Sequence, residues 1–107
     1  MGVGIMDASD IEQHLYRLLN AHVAGDLTRG QLLRTLRKDV LKLNQSTYCK
    51  LTGIGRNALV DLERDQGEPA SSTVTKAFSP FGLKPIMLRP DLQFLQQCLQ
   101  YQTDKPD

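Results

Sequence analysis

Residues 43–63 read LNQSTYCKLTGIGRNALVDLE, and their spacing predicts two short amphipathic helices that meet at a turn. Asn44 is placed to cap the first helix, its side-chain oxygen accepting from the free amides of the opening turn, so that the helix begins near Gln45. Gly53 supplies the left-handed residue that stops it. After Ile54 and Gly55 the second helix starts at Arg56 and turns Ala58, Leu59 and Leu62 to one face. Arg56, Asn57, Val60, Asp61 and Arg64 are left on the other. Two helices joined in this way have the layout of a helix-turn-helix. Polar side chains at the start of an exposed helix suit the base edges of the DNA major groove, where guanine offers two acceptors and adenine an acceptor beside a donor.

Outward from this stretch the chain reads as helical with one exception. Ser9-Asp10-Ile11-Glu12 has the form of a capping box, and Ile11, Leu15, Leu18, Leu19 and Val23 come after it at helical spacing, which predicts a helix over 8–25 ending at Gly25. Thr28-Arg29-Gly30-Gln31 repeats the signal and opens a helix to about Leu41 that buries Leu32, Leu33, Leu36 and Val40. Residues 64–72, RDQGEPASS, mark a loop, after which Ser71 or Ser72 is expected to cap a short helix carrying Val74, Ala77 and Phe78. The exception is 83–90, where Pro85 to Arg89 alternate as a single strand does. A lone strand leaves amides and carbonyls without partners; the same strand of a second copy would supply them about a two-fold axis, with Leu83, Ile86, Met87 and Leu88 as the dimerisation residues. The alternative is a coil crossing the surface. Residues 91–101, DLQFLQQCLQY, then form a helix with Leu92, Leu95 and Leu99 on one stripe and Phe94, Cys98 and Tyr101 beside it, wide enough to require docking on the first helix or on a second copy. The polar end from Gln102 is expected to be disordered.

The length of 107 residues suits one domain with one core. With 40% hydrophobic, 23% charged and 6% aromatic residues, the composition is that of a globular chain and not of a disordered or membrane one. The opening MGVGIMDAS has neither the basic region nor the apolar run of a secretory signal, which predicts a cytoplasmic location, with Met6 as an alternative start. The net charge of +1 hides an uneven distribution: from Arg29 to Arg64 there are eight basic residues against three acids, a local +5, so the remainder carries −4. A basic middle between acidic ends fits a phosphate-facing surface, though solvated helix faces would read alike. Cys49 and Cys98 have no metal-ligand spacing, and His14 and His22 have no third ligand in view, so neither a metal nor another cofactor is expected. No paired carboxylates, activated nucleophile or phosphate-cradling glycine loop is present, and an enzyme is not expected.

These residues resemble the lambda-repressor-like, XRE-type helix-turn-helix family over about residues 32–88. The resemblance rests on the L-N-Q opening at Leu43 to Gln45, Gly53 at the turn, Leu59 and the Leu62-Glu63 pair, and the tail GLKPIMLRP resembles the HipB-like branch, in which a strand succeeds the last core helix. It implies a mainly α bundle: a helix-turn-helix core over 28–82 with an added N-terminal helix, a strand pairing across a dimer, and a C-terminal helix and tail over 91–107. It also implies that a basic residue of the first core helix, Lys38, pairs with Glu63. Two departures stand out: Cys49 occupies a position usually held by Ala, and Ser79-Pro80 should end the last core helix early because proline lacks an amide and clashes with the preceding turn.

The site expected on this basis is a DNA-binding surface. Gln45, flanked by Asn44 and Ser46 at the start of its helix, would meet a phosphate. Gly55 would allow close approach, and Arg56 and Asn57 would read guanine and adenine through paired hydrogen bonds. Val60 and Asp61 continue that face; Asp61 would accept from cytosine or else pair within the chain with Arg64. Lys42, Lys50 and Arg64 are phosphate contacts or solvated cations. The function these expectations point to is a dimeric, sequence-specific transcriptional regulator on a palindromic operator, most simply a repressor. The alternative is a HipB-like antitoxin that holds a toxin enzyme and regulates its own operon. The partners are therefore double-stranded DNA and a second copy, or a toxin protein, and no membrane.

Overall fold

A computed structural model describes residues 8–89 and 91–101. It is mainly helical, and among the described residues no strand is present. The first helix, α1, spans Ala8–Val23. Ser9 and Glu12 do not form the expected capping box: Ala8, a strong helix former, extends the helix ahead of Ser9, which lies inside the first turn and is exposed. Leu15 is buried, and Ile11, Leu18 and Leu19 pack against the core beside it. Gly25, at φ 88°, ends the connection in the left-handed region. The ring of His22 donates from Nδ1 to the Leu27 carbonyl at 2.7 Å, tying the last turn of α1 to the loop after it.

The second helix, α2, spans Arg29–Thr35, and its capping box forms as the sequence requires. The Gln31 amide donates to Thr28 Oγ1 at 3.1 Å and the Thr28 amide donates to Gln31 Oε1 at 2.9 Å. From Leu36–Val40 the helix widens into a single π turn. Such turns insert a residue and rotate the helix faces beyond them. The chain leaves this turn at Lys42, which has φ 57°. Asn44 then caps α3, Gln45–Thr52, accepting from the Thr47 amide at 2.8 Å, and Gly53 closes it at φ 81°. Gly55 leads into α4, Arg56–Glu63.

Next comes α5, Ser71–Ala77, which begins after Ala70 without a side-chain cap. Neither Ser71 nor Ser72 caps it, because the extended Pro69-Ala70 pair delivers the chain into the helix early enough to place both serines in its first turn, exposed. The helix stops at Ala77, as Pro80 demands, and a 3-10 turn at Ser79–Phe81 carries the chain to Gly82 at φ 68°.

The core collects Leu15, Leu32, Leu33, Leu36, Val40, Tyr48, Ile54, Leu59, Leu62, Val74, Ala77 and Phe78. Tyr48 is completely buried, and its hydroxyl donates to the Ala77 carbonyl at 2.5 Å, joining α3 to α5. Burial pushes its phenol well above the ordinary value of 10.0. A group whose folded pKa is raised lends stability that is complete below the ordinary value and is lost as pH rises above it. Tyr48→Phe should cost about 1 kcal/mol at neutral pH for the lost hydrogen bond. It should also flatten the fall in stability above about pH 10; urea midpoints at neutral and alkaline pH for both proteins check this.

Beyond the core the expectations are met only in part. Leu83 is half-buried against the chain's own core, its amide donating to the Phe78 carbonyl at 3.4 Å. In the single chain 83–89 has no strand pairing, since no neighbouring strand offers its backbone a partner; Ile86, Met87 and Leu88 are exposed. The last helix, α6, Leu92–Gln100, is capped by Asp91, which accepts from the Phe94 amide at 2.6 Å. None of its residues is buried and none belongs to the core cluster, so the apolar stripe does not dock on α1. The disorder expected from Gln102 and the start at Met6 lie outside the described residues. Among the described residues no helix is long and apolar enough to cross a membrane.

Candidate nucleic-acid interface

The π turn at the end of α2 sets the floor of the candidate site. Arg37 lies on the same side as the buried Leu33 and Val40 and points inward, where its guanidinium meets Glu63 at the end of α4. The pair is bidentate: Nε to Oε2 at 2.6 Å and Nη2 to Oε1 at 2.9 Å. Its remaining nitrogen, Nη1, donates to the Leu43 carbonyl at 2.8 Å, and Gln45 Nε2 donates to Glu63 Oε1 at 3.2 Å. One buried cluster thus holds α2, the loop before α3, the first residue of α3 and the end of α4. Hydrogen bonding to Glu63 raises the Arg37 pKa further, opposed by burial, so the guanidinium stays charged.

One expectation is corrected here. Lys38 does not pair with Glu63: one residue on from Arg37 it turns to solvent, and Arg37 takes the acid. Gln45 Nε2 spends one of its two hydrogens on Glu63 and keeps the other. The start of α3 also offers backbone. The Thr47 amide goes to Asn44 Oδ1 and the Tyr48 amide to the Asn44 carbonyl, leaving those of Gln45 and Ser46 for an outside acceptor.

Above this floor lies an open cleft of about 840 Å³. Arg34, Lys38, Lys42, Arg56 and Arg64 line it together with Asn44, Gln45, Ser46 and Val60. With Arg37 and Glu63 neutralising each other, the walls carry five positive charges and no uncompensated acid. Concave surfaces lined by one sign of charge focus the field and concentrate counter-ions of the other sign. Oxyanions such as phosphates are the chemical class that this arrangement attracts, and the two free amides at the start of α3 add neutral donors.

Several predicted residues fall elsewhere. Gly55 and Asn57 are exposed at the start of α4 beside the cleft, and Lys50 is exposed on α3 without lining it. Asp61 lies in a separate small depression with Ala58, Gln66, Glu68 and Thr73. An acid there is kept away from the cationic walls. Arg34 and Arg37 belong to the basic stretch from Arg29 to Arg64 but are not singled out by the sequence as site residues, although Arg34 stands one helical turn before Lys38 and the i, i+4 spacing could have found it. His14 and His22 are half-buried on α1, and among the described residues no three metal-ligating side chains come together. Cys49 and Cys98 are free thiols, the first half-buried and the second exposed. No family model, curated protein or solved structure matches this chain.

Proposed function

We propose that this chain is a sequence-specific DNA-binding transcriptional regulator, most simply a repressor, with α3 and α4 as its helix-turn-helix. The observation that carries the reading is the cleft in which Arg34, Lys38, Lys42, Arg56 and Arg64 converge beside the open amides of Gln45 and Ser46. In the proposed complex Arg34, Lys38, Lys42, Arg64 and the two amides hold the phosphate backbone, which positions the protein without reading sequence. Arg56 and Asn57, exposed in the first turn of α4, enter the major groove. Arginine recognises guanine and asparagine recognises adenine by two hydrogen bonds each.

The reading includes a dimer on a palindromic site. The apolar Ile86, Met87 and Leu88 are exposed in a segment without internal pairing, which suits strand pairing with a second copy. Half-sites would then lie about one helical turn, roughly 34–36 Å, apart.

Fluorescence anisotropy with DNA from upstream of the protein's own gene tests the proposal. Arg56→Ala and Asn57→Ala should each cost about 1–3 kcal/mol against the preferred site, with little loss on unrelated DNA. Lys38→Ala should weaken all DNA alike and lower the slope of log affinity against log salt by about 1. Equal affinity of the unaltered protein for every sequence, or none at physiological salt, would sink operator recognition.

A further inference from the structure

We propose that Val60 is a further sequence-reading residue, which recognises thymine through its 5-methyl group. The inference rests on the DNA-binding reading above and deepens it by naming a base that neither Arg56 nor Asn57 recognises. Val60 lies midway between Arg56 and Arg64 in the chain, and at about 3.6 residues per turn the three form one stripe along α4. All three line the cleft, whose walls are otherwise polar apart from Leu43. Leu43 packs on the core. Val60 does not: it is half-buried, yet belongs neither to the core cluster nor to the apolar residues packed against it. Helix formation does not call for valine either, because a branched Cβ restricts its rotamers and lowers helix propensity relative to alanine. An apolar side chain without a place in the core therefore stands among cations and amides that suit an oxyanion.

Its neighbours on the stripe determine what it meets. In the proposed complex Arg56 enters the major groove and Arg64 holds a phosphate, so Val60, about 6 Å along the helix from each, lies between the base edges and the backbone. The thymine methyl group occupies that position, projecting from C5 into the major groove beside the backbone of its own strand. It is the one methyl group among the donors and acceptors displayed there. Cytosine lacks it and presents an amine that valine cannot satisfy, and the purines present acceptors that find no donor on Val60. Contact between the two apolar groups removes surface from water without involving charge, so its contribution does not depend on salt as the phosphate contacts do.

The test uses the full chain and the tightest duplex selected from a pool of random sequences. Each thymine of that duplex is replaced in turn by deoxyuridine, which removes the methyl group and keeps every hydrogen-bonding atom. For the unaltered protein, fluorescence anisotropy should find a thymine whose replacement weakens binding about fourfold, the effect of losing one buried methyl group. Val60→Ala raises helix propensity and leaves the core untouched, so its fold is not at risk. It should weaken binding to the thymine duplex at least as much, after which deoxyuridine at that position should have no further effect. Its slope of log affinity against log salt should match that of the unaltered protein. A selected duplex in which no thymine is sensitive to methyl removal overturns the assignment and leaves operator recognition standing. So does a sensitivity that persists in Val60→Ala, or a changed salt slope in that variant. A protein that selects no duplex above the random pool overturns both readings.

Discussion

Glu63→Ala is expected to lower stability by about 3–5 kcal/mol, because it strands a buried cation. Arg37 is 6% exposed and, among the described residues, its guanidinium pairs with no other carboxylate; Glu63 itself is 9% exposed. Removing the acid leaves Nε and Nη2 without acceptors and frees the Gln45 amide as well. For a chain of this size each kcal/mol moves the melting temperature by about 4–8 °C, so thermal unfolding should shift by tens of degrees. The double substitution Arg37→Met/Glu63→Leu separates the charge from the packing. Replacing a buried ion pair by apolar groups of similar volume is often neutral, so the double variant should regain most of the lost stability in urea unfolding. A Glu63→Ala midpoint close to that of the unaltered protein would show that the pair contributes little. The same double variant loses the hydrogen bonds to the loop before α3 and to Gln45, which hold the cleft in shape; under the proposed function, weaker DNA binding at restored stability is expected of it.

Gly30→Ala should destabilise by about 2–3 kcal/mol, as inserting a methyl group into a packed contact does. A Cβ at this position would stand 2.5 Å from the Leu62 carbonyl oxygen, 2.7 Å from that of Glu63 and 2.8 Å from Asp65 Cγ. Two of these atoms are backbone, so the methyl group is accommodated only if α2 moves away from α4. That movement would also break the cap that Asp65 places on α2, where its carboxylate accepts from the Gly30 amide at 2.8 Å and from Thr28 Oγ1 at 2.6 Å. The gain in helix propensity from glycine to alanine, about 1 kcal/mol, offsets part of the clash. Thermal unfolding measures the net loss. An unchanged melting temperature would mean that the two helices can separate without cost.

Local features were legible in the sequence because their causes are local. Thr28 and Asn44 cap their helices, Gly53 stops its helix in the left-handed region, and Pro80 ends α5, all through atoms within about one helical turn. The helical spacing of Leu32, Leu33, Leu36, Val40, Leu59 and Leu62 likewise named much of the core. Where a competing local cause stood one residue away, the reading slipped: Ser9, Ser71 and Ser72 are good caps in isolation, yet each lies inside a helix that had already begun.

The tertiary structure decided whatever depends on the separation of helices distant in the chain. Arg37 rather than Lys38 meets Glu63, 26 residues away, because the π turn and the buried face together determine which side chain points inward. Gly30 is required by the approach of α4 and has no mark in its neighbouring residues. Asp65 and Tyr48 form their bonds across 37 and 29 residues. The cleft's positive walls come from α2 with its π turn, the loop at Lys42 and the two ends of α4, so Arg34 joined them only once those elements were packed. Composition and periodicity determined that the chain is mainly helical, where most helices start and stop, and which side chains shun water. Which polar groups meet, and which face of α6 stays uncovered, emerged only from packing, because a side chain's partner is set by distance in space and not by order along the chain.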